Sequence, residues 1–246
     1  PTASPRATPK PAPPDQAVSP KFGHSSRLAT RVRSWYEVDG RSLPWRNPST
    51  TRYRAVCVEV LLQRTRAETV AAFYEDFFSR YPGWEALNRA QVEELEAALR
   101  PVGLWRRRAR SLKGLANYAA RVGGDFPANR GELERAPAIG QYVASAILLF
   151  HHGRREPLLD VNMARVIERA VRPRRLADIR HDPWLQGAAR WLLRQGDPAA
   201  TNWAVLDLGA AFCRAKNPAC ASCPVAPDCV TGRHEKVDTG SAAKVS

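Results

Sequence analysis

The sequence predicts a nearly all-α fold. Apolar residues recur every three or four positions through most of the segment between residues 28 and 211, which is the pattern of amphipathic helices. No pair of alternating strands joined by a hairpin turn appears in the sequence. With 246 residues, 44% of them hydrophobic, the chain is long enough to bury a sizeable core in one large domain or two small ones.

The helices are expected in close succession along the chain. A first amphipathic stretch begins at Leu28 and ends before Leu43, and residues 52–64 are apolar enough to form a buried helix or a strand. Their aromatic continuation as far as Phe78 favours two successive helices. Three aspartates stand at or near the start of later periodic runs and are expected to cap helices: Asp160, Asp182 and Asp197. Further helices are predicted over residues 91–99, 108–122, 131–135, 141–151, 161–171, 183–195 and 199–211.

Both ends of the chain differ in composition from the body. The first twenty residues hold seven of the twenty prolines and almost no large apolar side chain. Such a segment buries too little surface to offset the entropy lost on ordering, so residues 1–21 are expected to be a disordered Pro-rich tail. Residues 232–246 are expected to form a loose C-terminal tail.

The net charge of +14 points to a polyanionic partner. It arises from 38 basic against 24 acidic side chains, and residues 21–230 carry +12 of it. A basic body of this kind attracts nucleic acid, because binding releases the counterions condensed on the phosphates. A GC-rich genome would explain the preference for arginine over lysine, but it explains the net excess less well.

The hydropathy pattern argues against a membrane or secreted protein. No apolar run approaches the roughly 18 residues that a membrane-spanning helix needs, and no signal-peptide pattern precedes the expected folded region. We further expect the protein to be a monomer and to lie in the cytoplasm of a bacterium, associated with the nucleoid.

Four of the five cysteines lie within seventeen residues: Cys213, Cys220, Cys223 and Cys229. Without a signal peptide, so dense a cluster favours a metal site over a disulfide framework. Four thiolates can bind one zinc ion or an iron–sulfur cube. Zinc sites usually contain two Cys-x-x-Cys pairs and this segment has one, so the spacing favours an iron–sulfur cluster. The fifth, Cys57, lies in an apolar run and is interpreted as a buried thiol.

A short turn joins two predicted helices between residues 132 and 150. The first helix is expected to end at Pro137, and Ala138-Ile139-Gly140 leads into a second helix of small residues. Such a turn directs backbone N–H groups toward a phosphate, although most turns of this kind simply connect helices. Asp160 is by itself most simply an N-cap, and its proximity to the turn strengthens a functional interpretation.

Together these features resemble the helix-hairpin-helix (HhH-GPD) DNA glycosylase superfamily, in the branch of endonuclease III and MutY. The matching motifs occur in family order and cover roughly residues 27–231. The pattern is closest to that of thymine–guanine mismatch glycosylases. The motifs are Gly40-Arg41-Ser42-Leu43-Pro44-Trp45-Arg46, Glu59-Val60-Leu61-Leu62-Gln63-Arg64-Thr65, Gly103-Leu104-Trp105, the hairpin within 136–147, Leu159-Asp160 and the four cysteines.

The resemblance implies two helical lobes with DNA bound between them. A six-helix lobe with the helix-hairpin-helix would span residues 44–155. Residues 22–43 and 156–231 would form the lobe that holds a four-iron four-sulfur cluster on the four clustered cysteines. The implied partner is double-stranded DNA with a mismatched or damaged base, whose nucleotide is flipped into a pocket.

Three residues match catalytic positions of this family. Asp160 would stabilise an oxocarbenium-like transition state and position the attacking water, and a basic cleft would hold its carboxylate charged. Tyr142 stands where endonuclease III-like members carry a Schiff-base lysine, and no lysine occurs between Lys113 and Lys216, so we expect no or weak AP-lyase activity. Glu59 would protonate an adenine, hydrogen-bond a pyrimidine edge, or simply pair with an arginine.

The predicted function is a monofunctional base-excision DNA glycosylase that removes thymine or uracil mispaired with guanine. The Tyr142 phenol would line the pocket mouth, and a core tyrosine is the alternative. The chain given ends within twenty residues of Cys229, so the domain with which MutY reads 8-oxoguanine is expected to be missing or to have been removed. The alternatives are a MutY-like adenine glycosylase acting on A·8-oxoguanine or A·G, a non-catalytic DNA-damage-binding protein and a zinc-ribbon regulator.

Further residues are expected to contact DNA. Gln63 with Arg64, and Leu104, match positions that fill the space left by the flipped base, and Arg or Gln there can hydrogen-bond the unpaired guanine. For Leu104, ordinary packing is the alternative. The remaining candidates are Trp105, Arg106, Arg108, Ile139 and Gly140, with the arginines near phosphates or on a solvated basic face.

Two positions depart from the family pattern. Ala138 replaces the first glycine of the usual Gly-x-Gly hairpin; if this position needs a positive φ, alanine costs about 1 kcal/mol and weakens phosphate binding. Val161 follows Asp160 where a small residue is usual, and is expected to reshape the pocket floor.

Overall fold

The computed structural model describes residues 25–136 and 138–233, so the tail predicted over 1–21 and nearly all of that over 232–246 lie outside the described residues. Over this part of the chain the structure contains α-helices and short 3₁₀ turns and no β-strand, which confirms the predicted all-α fold. No helix within it is long and apolar enough to cross a membrane. The α-helices are Ser25–Asp39 (α1), Arg52–Leu62 (α2), Ala67–Arg80 (α3), Trp84–Arg89 (α4), Val92–Leu99 (α5), Trp105–Arg121 (α6), Arg130–Arg135 (α7), Gln141–Phe150 (α8), Val161–Ala170 (α9), Pro183–Leu192 (α10) and Pro198–Ala211 (α11).

Helices α2 to α8 enclose one hydrophobic core, rich in aromatic side chains. The rings of Tyr74 and Phe78 lie 4.8 Å apart, and those of Phe77 and Phe78 lie 5.2 Å apart, both edge to face. Pairs of this geometry each contribute about 0.5–1.5 kcal/mol beyond the area that they bury. Such a packed core fixes the positions of α2 and α8, which carry two of the candidate catalytic residues.

A second core combines the start of the described chain with its end. Leu28 and Val32 of α1 pack with Ile167 of α9 and Leu208 of α11, and Val225 of the cysteine loop joins them. Helix α1 is therefore part of the same body as helices more than a hundred residues later. The lobe boundaries at residues 44 and 155 stay predictions.

The three predicted aspartate caps are confirmed. The side chain of Asp160 accepts a hydrogen bond from the Met163 N–H group, that of Asp182 from Leu185, and that of Asp197 from Ala200. Each satisfies an N–H group that the first turn of a helix leaves unpaired.

Several helices differ from the sequence predictions, and α10 ends at Leu192, three residues before its predicted end. Helix α6 begins at Trp105, three residues before the predicted start, because Leu104 in a left-handed conformation already ends the preceding loop. Helix α4 was not predicted: it has six residues and a single buried one, Leu87, which is too little for a visible helical period.

Candidate active site

A cleft of about 1090 Å³ is lined by residues of both cores. Glu59 of α2 and Tyr142 of α8 lie on helices that enclose the first core, and Asp160, Asn162 and Leu206 lie on or beside helices of the second. The three side chains predicted to be catalytic therefore face one cavity, although Asp160 is separated from Glu59 by about a hundred residues of sequence.

Tyr142 and Glu59 are joined directly. The Tyr142 hydroxyl donates to Glu59 Oε2 across 2.7 Å, and the Glu59 side chain is almost fully buried. Burial raises the pKa of Glu59 to about 7; the hydrogen bond from Tyr142 and the positive charge of Arg46 oppose the rise, whereas the charge of Asp160 adds to it. Burial and the neighbouring carboxyls raise the pKa of Tyr142, which therefore stays a neutral donor.

Asp160 uses its carboxylate both as a helix cap and as a cleft residue. Its Oδ1 accepts from the N–H groups of Asn162 and Met163 at 2.9 and 2.8 Å, and its Oδ2 accepts from Asn162 Nδ2 at 2.6 Å. Burial raises the pKa of Asp160, while these hydrogen bonds and Arg165 oppose the rise. Desolvation thus acts against the charged form of Asp160, a contribution that the prediction from the basic cleft did not include.

Asn162 and Arg165 connect Asp160 with the cysteine loop. Asn162 Oδ1 accepts from Arg165 Nη2 at 2.9 Å, and Arg165 Nε donates to the backbone carbonyl of Cys213 at 2.5 Å. The orientation of Asp160 thus depends on a chain of hydrogen bonds that ends at the first of the four clustered cysteines.

A buried ion pair beside the cleft was missed by the sequence analysis. Asp207 of α11 accepts from Arg46 Nη1 at 2.7 Å and Arg46 Nη2 at 2.8 Å, and from Arg41 Nη2 at 2.6 Å. Burial opposes the charge of Asp207, but the two arginines hold its pKa below the usual value. Arg46 also lies over the Trp203 ring, 5.5 Å from its centre. The two arginines belong to the motif Gly40–Arg46, which the sequence analysis identified. Asp207 lies 161 residues after Arg46, and nothing in the sequence around it indicates this contact.

The two loops predicted to enter DNA have strained backbones. We call residues 63–66 the first insertion loop and residues 102–104 the second. Arg64 (φ +61°) and Leu104 (φ +50°) adopt left-handed conformations, which cost non-glycine residues roughly 1–2 kcal/mol each. Leu104 is 46% exposed, which rules out the alternative of ordinary core packing. Gln63 and Arg64 line the cleft.

Arg108 lies in a place that the sequence analysis did not foresee. Only 3% of it is exposed, and its guanidinium donates to Val102, Gly103 and Gln63 carbonyls and to the Thr65 hydroxyl. The prediction that it binds phosphate is therefore wrong, because the guanidinium is buried and both of its terminal nitrogens donate to oxygen atoms of the protein.

The neighbours of Arg108 on α6 behave differently. Trp105 is half-buried against the first core, and the exposed Arg106 lies over its ring, 5.4 Å from the centre. Of these two side chains, Arg106 is therefore the one exposed to a phosphate.

In the hairpin before α8, the prediction that Ile139 contacts DNA is wrong. Ile139 is 3% exposed and its N–H donates to the Ala136 carbonyl at 3.2 Å, so neither its side chain nor its N–H faces a phosphate as predicted. Gly140 is the N-cap of α8 and lines the cleft. Ala138 has φ +68°, so the position does require the conformation that favours glycine. Val161 is 66% exposed at the mouth of the same cleft.

The four clustered cysteines surround one pocket in the loop after α11, with apolar walls that include Val166, Leu208 and Val225. Burial raises the pKa of Cys223 and of Cys229. The Gly232 N–H donates to Cys229 Sγ at 3.4 Å, and N–H donors to sulfur are typical of iron–sulfur sites. Among the residues that the structure describes, no three potential ligands are arranged to hold a single metal ion. The structure therefore brings the four thiols to one pocket, but among the described residues it does not itself show a metal-binding arrangement.

Comparison with known proteins identifies the family. A sequence model of the HhH-GPD superfamily base excision DNA repair protein matches residues 57–178. A thymine-DNA glycosylase of Aeropyrum pernix is 36% identical, over 85% of this chain and 95% of its own length. The chain belongs to the HhH-GPD superfamily. The resemblance seen in the sequence motifs is thereby confirmed.

Other relatives agree with this assignment. A thymine/uracil-DNA glycosylase of Pyrobaculum aerophilum is 37% identical over 82% of this chain and 89% of its own length. An adenine DNA glycosylase of Mycobacterium tuberculosis is 32% identical over 80% of this chain and 65% of its own. The solved structure of a thermostable thymine-DNA glycosylase superimposes with a TM-score of 0.74 and 25% identity, covering 87% of this chain and 98% of that one.

Proposed function

We propose that this HhH-GPD protein is a monofunctional DNA glycosylase that hydrolyses the N-glycosidic bond of thymine or uracil mispaired with guanine. The observation that carries the proposal is the convergence of Asp160, Tyr142 and Glu59 on one cleft. The thymine- and uracil-specific relatives, which match most of the chain, support the choice of base.

Asp160 supplies the negative charge that this reaction needs. As the glycosidic bond breaks, positive charge develops on the sugar, and a fixed carboxylate stabilises it more than it stabilises the ground state. The hydrogen bonds from Asn162 and Met163 hold the group in place before the reaction begins. In its ionised form Asp160 also accepts a hydrogen bond from the attacking water.

Tyr142 and Glu59 act on the base. Because the pKa of Glu59 is about 7, it exists in both protonation states near neutral pH and can donate to or accept from a pyrimidine edge. Tyr142 occupies the hairpin position and cannot form a Schiff base, which supports base release without strand cleavage. An engineered Tyr142→Lys protein is expected to become trapped on DNA by borohydride.

The decisive experiment is a base-release panel on one duplex carrying G·T, G·U, A·8-oxoguanine or A·G. Thymine or uracil release that Asp160→Asn abolishes, with DNA binding retained, supports the proposal. Adenine release would instead assign the adenine-glycosylase activity named in the Mycobacterium tuberculosis relative. Binding of mismatched DNA without release of any base would indicate a damage-binding protein.

We further propose that the four clustered cysteines hold a four-iron four-sulfur cluster. Their shared pocket and the N–H donor to Cys229 support this. A bound cluster would cross-link the loop after α11. Purified protein is expected to contain iron and acid-labile sulfide and to absorb visible light, and Cys223→Ser is expected to lose these signals while Cys57→Ala retains them. A colourless protein that contains zinc would contradict the assignment.

A further inference from the structure

Arg108 contacts both insertion loops at once. Its Nη1 donates to the carbonyls of Val102 and Gly103 in the second loop, and its Nη2 donates to the Gln63 carbonyl and the Thr65 hydroxyl in the first. Each terminal nitrogen of the guanidinium therefore serves one loop. All four acceptors are uncharged oxygen atoms, three of them backbone carbonyls. The guanidinium therefore holds the loops by hydrogen bonds and does not neutralise a carboxylate.

Two other hydrogen bonds reinforce the same junction. The Thr65 hydroxyl donates to the Val102 carbonyl at 3.0 Å, which links the loops directly. The backbone N–H of residue 108 donates to the Leu104 carbonyl at 3.0 Å, which is the first helical hydrogen bond of α6 and attaches the second loop to that helix.

The conformations of the loops require such support. Arg64, Gly103 and Leu104 all have positive φ angles, and strained conformations of non-glycine residues persist only where the surroundings determine them. The exposed Leu104 side chain gains little from packing on the protein. Of the contacts around these residues, the guanidinium of Arg108 spans both loops with the largest number of hydrogen bonds.

We propose that Arg108 is a positioning residue that ties the two insertion loops into one rigid unit, so that their side chains enter the duplex together when a base is flipped out. The inference rests on the proposed function and goes beyond it, because it gives a role to Arg108, a buried side chain that the proposed reaction does not use. A planar fork with donors on two nitrogens is needed to reach both loops, and a lysine ammonium has no such geometry.

The test compares two substrates that differ in the cost of flipping. One is a duplex with a G·U pair, and the other carries the same uracil opposite an abasic spacer, where no base must be unpaired or replaced. Single-turnover release by Arg108→Met is expected to fall at least about tenfold on the G·U duplex and to stay near that of the wild type on the spacer duplex. Arg108→Lys is expected to give a partial loss on the G·U duplex alone. The matched control, Arg121→Met, removes one charge from the exposed last turn of α6 and is expected to leave both rates unchanged.

Equal losses on the two substrates, or no loss on either, would overturn the proposal. If Arg108→Met does not fold, Thr65→Val removes the hydroxyl shared by both loops with almost no change in shape and should give the same pattern. If the wild-type protein releases no base, the proposed function fails, and the loop coupling is then measured by 2-aminopurine fluorescence beside the target. In that case less brightening with Arg108→Met than with wild type supports the coupling, and equal brightening contradicts it.

Discussion

The Tyr142 hydroxyl and Glu59 Oε2 are 2.7 Å apart, and this hydrogen bond joins α8 to α2 within the cleft. A neutral phenol is thereby held against a buried carboxyl whose pKa lies at about 7. Because the hydrogen bond stabilises the charged form of Glu59, it limits a rise in pKa that burial alone would make larger.

This pair makes stability depend on pH. Between about pH 4.5 and pH 7 the folded protein binds more protons at Glu59 than the unfolded chain does, so the free energy of unfolding falls as pH rises through this window. The contribution amounts to roughly 3 kcal/mol. Glu59→Gln is expected to remove it, and Tyr142→Phe to raise the pKa of Glu59 and extend the window upward. Urea unfolding at a series of pH values measures both effects. If the free energy of unfolding changes between pH 5 and pH 7 in the same way for the wild type and for Glu59→Gln, the assignment is contradicted.

Asp160→Asn is expected to separate catalysis from folding. Asparagine can keep the cap to the Asn162 and Met163 N–H groups, but its NH2 group cannot accept from Asn162 Nδ2, so the free energy of unfolding should fall by about 1 kcal/mol while base release is lost. The control is Asp197→Asn, which makes the same change at the cap of α11 and should retain full activity. Measurable turnover in the Asp160 variant would remove this carboxyl from the mechanism.

Ala138→Gly is expected to stabilise the hairpin. The residue has φ +68°, and glycine relieves a strain of about 1 kcal/mol at such an angle. The neighbouring Ala136 has φ −76°, so Ala136→Gly should instead lower stability. Thermal unfolding distinguishes the two changes, and equal shifts in the same direction would show that strain at Ala138 is absent in solution.

Asp207→Asn is expected to be among the most destabilising single changes near the cleft. It leaves the buried guanidinium of Arg46 without its anionic partner, which typically costs about 3–5 kcal/mol. Glu85→Gln breaks an exposed pair with Arg89 and should cost less than about 0.5 kcal/mol. Similar unfolding midpoints for the two variants would mean that water reaches Arg46 when Asp207 is replaced.

Local sequence rules predicted the parts of this protein that depend on neighbours in the chain. The caps Asp160, Asp182 and Asp197 can be predicted from local sequence, because a cap accepts hydrogen bonds from N–H groups two or three residues away. Helical periods predicted most helices, and the resemblance of the motifs to a known family predicted that Asp160, Tyr142 and Glu59 share a site.

The features that the sequence did not reveal depend on distant contacts. Arg108 belongs to a run of arginines that looked like a phosphate-binding face, and nothing local shows that one of them turns inward toward Gln63, 45 residues away. Asp207 is likewise hidden within an apolar helix. Burial decides the chemical role of both residues, and burial follows from tertiary packing.

The double use of the Asp160 carboxylate has a consequence for living cells. Under the proposed function, a variant that keeps the cap and loses the charge would fold, accumulate and occupy its target DNA without repairing it. Such a protein would shield the lesion from other enzymes, so its effect on mutation rate should exceed that of deleting the gene.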